Sequence, residues 1–188
     1  MSKIANTQYP VLDIIRNRWS ARSFSEQQIT PEQLNTLFEA ASWAFSANNA
    51  QAWNYIYAFK GSEGFDKLVD CLMPGNQTWA KNASVLLLNI ADKWMGDRPY
   101  NAAKHDVGAA NATLALQATS MGIFSHVMGG FSSAKAIETF GIDTEKQEPV
   151  VMIALGFLDD ADKLEEPFKT RETTPRTRKS IEEFTKQA

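Results

Sequence analysis

Arginines are concentrated in two short stretches of this chain. Arg16, Arg18 and Arg22 crowd the first, and Arg171, Arg176, Arg178 and Lys179 crowd the second, near the far end. The chain as a whole is slightly acidic, with 19 Lys and Arg against 22 Asp and Glu and a formal net charge of −3. That balance argues against a general nucleic-acid binder. Local basic clusters on an acidic protein point instead to a discrete anionic ligand, with solvated surface charge as the other reading.

The familiar nucleotide and hydrolase signatures are missing. No two of the ten glycines are separated by a single residue, so a G-x-G-x-x-G dinucleotide loop is excluded. There is no Walker A loop and no G-x-S-x-G nucleophile elbow. His105 and His126 are the two histidines, neither within an H-E-x-x-H pair, so a catalytic zinc or other metal site is not expected. The lone Cys71 cannot make an intrachain disulfide, and a reducing cytoplasm is the default compartment. No apolar run is long enough to span a membrane, and the first nine residues do not read as a signal peptide. An enzyme with this inventory needs a bound organic cofactor to carry its chemistry.

The elements that position these residues follow from periodicity. Residues 10–17 read as a short helix leading into the first basic stretch. Thr30, Pro31 and Gln33 form a T-x-x-Q capping box with proline at the first helical position, and Leu34, Leu37, Phe38 and Ala41 recur at the helical period. Residues 54–59 read as a strand. Phe65, Leu68, Val69 and Leu72 mark a third helix, expected to end at Pro74 and Gly75. The apolar run 85–91 reads as a buried strand. Residues 102–121 form the longest helical pattern, apolar on several faces, as in the middle of a fold or at a subunit interface. A strand at 124–128, a serine-capped helix ending at Gly141, a strand at 150–158 and a last helix at 180–186 complete the reading. Strands and helices do not alternate regularly, which favours α+β over a doubly wound sheet. The last thirty residues hold few apolar anchors, so they are expected to be mobile or to wrap over another chain.

Four separated segments resemble the nitroreductase family of FMN-dependent homodimers. Arg18-Trp19-Ser20-Ala21-Arg22-Ser23-Phe24 matches R-x-S-x-[RK]-x-F. Ala44-Phe45-Ser46-Ala47-Asn48-Asn49-Ala50-Gln51-Ala52-Trp53 is similar to A-P-S-S-x-N-x-Q-P-W. Val127-Met128-Gly129-Gly130-Phe131 resembles the family segment ending in Gly-Phe, and Arg176-Thr177-Arg178 is placed like the terminal [KR]-x-R pair. Phe45, Ala47 and Ala52 depart from the pattern. Two of these replace prolines that would stiffen the loop, and Phe45 is expected to narrow the substrate space.

The resemblance implies a three-layer α/β/α sandwich with a central, mostly antiparallel sheet, in an intertwined homodimer. One FMN-binding domain would cover residues 1–188, with 160–188 extending over the partner subunit. Arg18, Ser20, Arg176 and Arg178 would hold the FMN phosphate, for which the planar guanidinium fork is suited. Arg22 would face the pyrimidine edge of the flavin. Phe45, Ser46, Ala47 and Asn49 would reach the cofactor from the opposite subunit. Asn76 would hydrogen-bond the ring's polar edge, and the Gly129-Gly130 backbone would face flavin N5. Trp19, Val127 and Met128 complete the implied cofactor contacts. No acid–base side chain is assigned. The implied activity is ping-pong hydride transfer from NAD(P)H through FMN to a nitroaromatic, quinone or similar small acceptor. Dehalogenation or flavin cleavage on the same fold, or a non-catalytic phosphate- or flavin-binding domain, are the alternatives.

Overall fold

The computed structural model describes residues 3–188. Its helices are α1 (Asp13–Asn17), α2 (Pro31–Ser42), α3 (Glu63–Cys71), α4 (Pro74–Ala80), α5 (Ala103–Ser120), α6 (Ser133–Phe140) and α7 (Phe168–Thr173). Its strands are β1 (Trp53–Phe59), β2 (Val85–Asp92), β3 (Trp94–Met95), β4 (Arg98–Pro99), β5 (Phe124–Met128) and β6 (Gln147–Gly156). Four strands form the main sheet in the order β1-β2-β6-β5, and every pairing is antiparallel.

The period-two alternation of β2 sorts the core into two halves. Leu86, Leu88 and Ile90 point to one face, where Phe65, Leu68 and Cys71 of α3, Trp79 of α4 and Ala136 of α6 pack on them. Val85 and Leu87 point to the other face, against Leu34 and Leu37 of α2 and Ala110, Leu114 and Ala118 of α5. Helices thus cover both faces of the antiparallel sheet, in the three-layer α+β arrangement anticipated from the sequence. With both faces covered, β2 is apolar on both from Val85 to Ala91 except at Asn89.

Local signals work as physical chemistry requires. Gln33 N–H donates to Thr30 Oγ1 at 3.2 Å and Thr30 N–H donates to Gln33 Oε1 at 2.9 Å, closing the capping box of α2. Gly141 ends α6 in the left-handed region at φ 62°. Gly156 is required for space, because a Cβ there would sit 2.6 Å from the Phe24 ring. A polar chain crosses the core near a slip in register at Asn89 and Ile90. The Tyr55 hydroxyl donates to Asn111 Oδ1 at 2.9 Å, and Asn111 Nδ2 donates to Asn89 Oδ1 at 2.9 Å. These buried polar groups satisfy one another.

Several boundaries differ from expectation. Pro74 does not merely close the preceding helix: it occupies the first turn of α4, which carries Asn76 and Trp79. Proline suits that position because its missing N–H would have no intrahelical partner. Helix α1 begins at Asp13 rather than residue 10. Strand β6 runs from Gln147 to Gly156, earlier than the apolar run alone indicated. The short β3–β4 hairpin and α7 carried no clear periodic signal. The last expected helix is only a 3-10 turn, Ile181–Glu183, because its apolar residues Ile181 and Phe184 stay exposed and, among the described residues, join no part of the apolar core.

Candidate active site

Helix α1 ends where Arg18 turns into extended backbone, at φ −65° and ψ 124°. The C-terminal segment returns to this point. Arg176 Nη1 donates to the carbonyls of Lys3 at 3.1 Å and Arg16 at 2.9 Å. Arg178 follows two residues later and donates to the Thr177 carbonyl at 2.7 Å. Arg18, Arg176 and Arg178 thereby form one like-charged group. Burial and then Arg178 hold Arg18 below the ordinary guanidinium value, while burial, Arg18 and Arg178 do the same to Arg176. Among the described residues, no carboxylate pairs with any of the three. Mutually repelling cations without a counter-ion make a site for an anion. Arg18 also lines a cavity of about 340 Å³ with Val127, Val150 and Val151 from the sheet and Lys104 and Asn111 from α5.

Arg22 stands apart from that group. Its Nη1 lies 3.8 Å from Glu172 Oε2, and its guanidinium lies 5.8 Å from the Trp79 ring centroid. Glu172 is buried on α7, and its Oε1 accepts the backbone N–H groups of Arg22 at 2.8 Å and Ser23 at 3.1 Å. The rest of the first motif is part core: Trp19 is buried and meets Phe124 edge-on, whereas Ser20 is half-buried. Behind it, His126 hydrogen-bonds the Ala21 carbonyl through Nδ1 at 2.9 Å. Burial, reinforced by the positive charge of Arg22, lowers His126 to about 4, so its imidazole is neutral near pH 7.

Asn76 and Gly130 meet directly. Asn76 Nδ2 donates to the Gly130 carbonyl at 2.9 Å, and Met73 N–H donates to the same oxygen at 3.0 Å. A Cβ on Gly130 would lie 2.6 Å from Asn76 Nδ2. Gly129 is exposed, Val127 is exposed at the cavity, and Met128 is buried in the core.

The loop expected to bear Phe45, Ser46, Ala47 and Asn49 sits at the first turns of α5. Asn48, Asn49 and Gln51 have φ of 55°, 54° and 51°. Left-handed backbone at non-glycine residues costs of order 1–3 kcal/mol each where the side chain does not favour it, and asparagine tolerates it best. Ser46 Oγ accepts the Gln51 N–H at 2.8 Å. Ala47 N–H donates to Asp106 Oδ2 at 2.9 Å, and the Tyr100 hydroxyl donates to the same carboxylate. Burial pulls Asp106 upward, but hydrogen bonds from Tyr100, His105, Ala47 and Ser46 outweigh it and hold the carboxyl below its ordinary value. Phe45 is exposed and packs on His105 with ring centroids 5.5 Å apart. Among the described residues, no hydrogen bond or ion pair links this loop to the arginine group within one chain.

The family model described as the nitroreductase family matches residues 15–95 and 72–157. Those ranges span most of the chain and contain three of the four motif segments. The chain belongs to the nitroreductase family.

A solved structure described as an oxidoreductase containing FMN is 35% identical to this nitroreductase-family chain, with a TM-score of 0.93, covering 100% of this chain and 96% of that one. A protein of Archaeoglobus fulgidus, provisionally named an NADH dehydrogenase/NAD(P)H nitroreductase, is 31% identical over 118 residues, which are 63% of this chain and 66% of that protein. A provisionally assigned nitroreductase of Exiguobacterium sibiricum, solved in complex with FMN, shares the fold at TM-score 0.78 and 19% identity, with both chains fully covered.

By sequence, His105 and Asp106 read as helix-surface or interface groups with no acid–base role, whereas Asp106 is buried at 1% exposure, and neither Tyr100 nor Glu172 belongs to a motif. Asp106 had one available signal, a carboxylate on an otherwise nearly apolar helix face. Glu172 had none, because its partners are backbone N–H groups about 150 residues away.

Proposed function

We propose that this chain is an FMN-dependent oxidoreductase that takes hydride from NAD(P)H and passes electrons to a nitroaromatic, quinone or similar small acceptor by a ping-pong mechanism. The observation that carries this reading is the return of the C-terminal segment to the first basic stretch, where Arg176 holds the Arg16 carbonyl at 2.9 Å beside Arg18 and, among the described residues, no carboxylate pairs with Arg18, Arg176 or Arg178. A doubly charged phosphate monoester suits such a group, and each charge-assisted hydrogen bond contributes roughly 1.5–3 kcal/mol. The 35%-identical relative described as containing FMN supports the same cofactor, and the names of more distant relatives support NAD(P)H as the donor.

The residues present fit FMN. Arg18, Arg176 and Arg178 would bind the phosphate, helped by Ser20. Arg22 would set positive charge near the polar edge of the ring, moderated by Glu172 at 3.8 Å. Asn76 would orient that edge. Gly129 and Gly130 would let backbone approach a flat ring closely. Trp19 and Met128, both buried, would support the site from beneath, with Val127 at its margin. When bound, FMN supplies two-electron redox chemistry that no side chain here provides.

The protein would act as a homodimer. The Phe45–Asn49 loop makes no polar contact with the arginine group of its own chain, and residues 177–188 are exposed throughout. The loop would therefore close the partner's site, excluding water from it, while segment 160–188 extends over the partner subunit.

The purified protein tests this by its visible spectrum and by FMN titration of the apoprotein. A yellow protein bleached by NADH or NADPH and reoxidised by a nitroaromatic or quinone is the expected result. A colourless protein that takes up no added FMN overturns the proposal.

A further inference from the structure

Loop 45–51 holds a costly conformation that its own hydrogen bonds shape, Asn49 N–H to the Ser46 carbonyl at 3.0 Å, Ala50 N–H to the Ala47 carbonyl at 3.2 Å and Gln51 N–H to Ser46 Oγ at 2.8 Å, but that do not tie it to the body of the protein. Three of its residues sit at positive φ, and Phe45, Ala47, Asn49 and Gln51 are exposed. Its principal tie to the body of the protein is one carboxylate. Asp106 is 1% exposed and projects from the first turn of α5. Oδ2 accepts the Ala47 N–H at 2.9 Å and the Tyr100 hydroxyl, while Tyr100 Oη also lies 3.0 Å from the Ala47 carbonyl. The Ala47 N–H is therefore held by Asp106, while its carbonyl accepts the Ala50 N–H at 3.2 Å within reach of the same Tyr100 hydroxyl. The other oxygen, Oδ1, lies 3.0 Å from Nδ1 of His105, and the His105 ring supports Phe45. One buried carboxylate thus fixes the loop backbone and the platform beneath its exposed aromatic side chain.

We infer that Asp106, acting with Tyr100 and His105, is a positioning residue that latches loop 45–51 in its binding conformation and sets where Phe45 stands over the acceptor. This inference rests on the proposed FMN site. The latch touches neither cofactor nor acceptor, and acts through Ala47 and Phe45. It accounts for a loop that keeps its shape without prolines at positions 45 and 52. A carboxylate that accepts from Ala47 and Tyr100 at once replaces the stiffness of a proline-fixed φ. Because Phe45 rests on His105, releasing the carboxylate frees the aromatic ring as well as the backbone.

The test compares Asp106→Asn, Tyr100→Phe and wild type in the full chain. Amide hydrogen exchange without FMN reads the latch directly. Faster exchange at residues 45–51 in both variants, with β2 and β6 still protected, supports it, and unchanged loop exchange overturns it. With FMN bound, the variants are expected to raise KM for bulky acceptors at least fivefold more than for small ones, with little change in bleaching by NAD(P)H. A uniform fall in kcat for all acceptors, with no change in KM ratio, overturns the role in acceptor positioning. Should Asp106→Asn fail to fold, Tyr100→Phe removes the shared hydroxyl while keeping the ring, and its exchange pattern decides alone. Failure of wild type to bind FMN would instead remove the cofactor reading, and the exchange result would remain interpretable.

Discussion

Glu172 Oε1 accepts the backbone N–H of Arg22 at 2.8 Å across a sequence separation of 150 residues. The same oxygen takes the Ser23 N–H at 3.1 Å. The carboxylate therefore joins α7 to the first basic motif, and Arg176, four residues further on, reaches the carbonyls of Lys3 and Arg16. Two basic stretches at opposite ends of the chain lie side by side because a buried acid and Arg176 tie their backbones together, as the proposed phosphate site requires.

Glu172→Ala should therefore destabilise the protein by about 3–5 kcal/mol, since it leaves Arg22 and two backbone donors without their partner. Glu172→Gln keeps an acceptor oxygen for both N–H groups and should cost less. Urea denaturation checks the order, and FMN affinity should fall in the same order.

Arg178→Ala should separate binding from folding. With FMN the variant should bind roughly 10- to 100-fold more weakly, the value of one charge-assisted contact. Without FMN it should melt no lower than wild type, because one like charge has been removed from beside Arg18 and Arg176. Calorimetric titration and thermal melts of both forms measure the two effects, and Arg18→Ala should repeat the loss of affinity.

His126 gives the stability a pH dependence with a definite sign. Its imidazole titrates near 4 in the folded protein against an ordinary 6.5, because burial and Arg22 oppose its charge. The unfolded chain takes up this proton first as pH falls. Stability from this group is complete above pH 6.5, declines between about 6.5 and 4, and is lost by about 3 kcal/mol below that window. His126→Asn, which keeps a donor for the Ala21 carbonyl, should flatten the decline in urea midpoints measured across the same range.

Gly130 and Gly129 should respond differently to alanine. At Gly130 the new Cβ would lie 2.6 Å from Asn76 Nδ2 and displace the amide from the Gly130 carbonyl, whereas at Gly129 it meets nothing within 4 Å. Gly130→Ala should cost about 1–3 kcal/mol in apoprotein stability and weaken FMN binding. Gly129→Ala should fold normally, so any loss of FMN affinity in that variant reports crowding of the ring itself.

Much of the architecture was legible in the chain. The apolar run of β2, the Thr30–Gln33 box and the repeat of Leu34, Leu37 and Ala41 are local patterns with periods of two or 3.6 residues, and the finished fold obeys them. Pro74 misled because proline both ends one helix and suits the first turn of the next, and only packing of Trp79 against the sheet decides between them. The arginine clusters and the Asn76 and Gly130 segments are visible as residue types in order, so residue order alone carries the family and the candidate ligand groups. Only the folded chain shows that Arg22 pairs with Glu172 and that Asp106 accepts the Ala47 N–H. The reason is physical: burial periodicity is written into neighbouring residues, whereas a carboxylate that accepts distant backbone N–H groups leaves no pattern at either end, because every residue but proline offers the same donor.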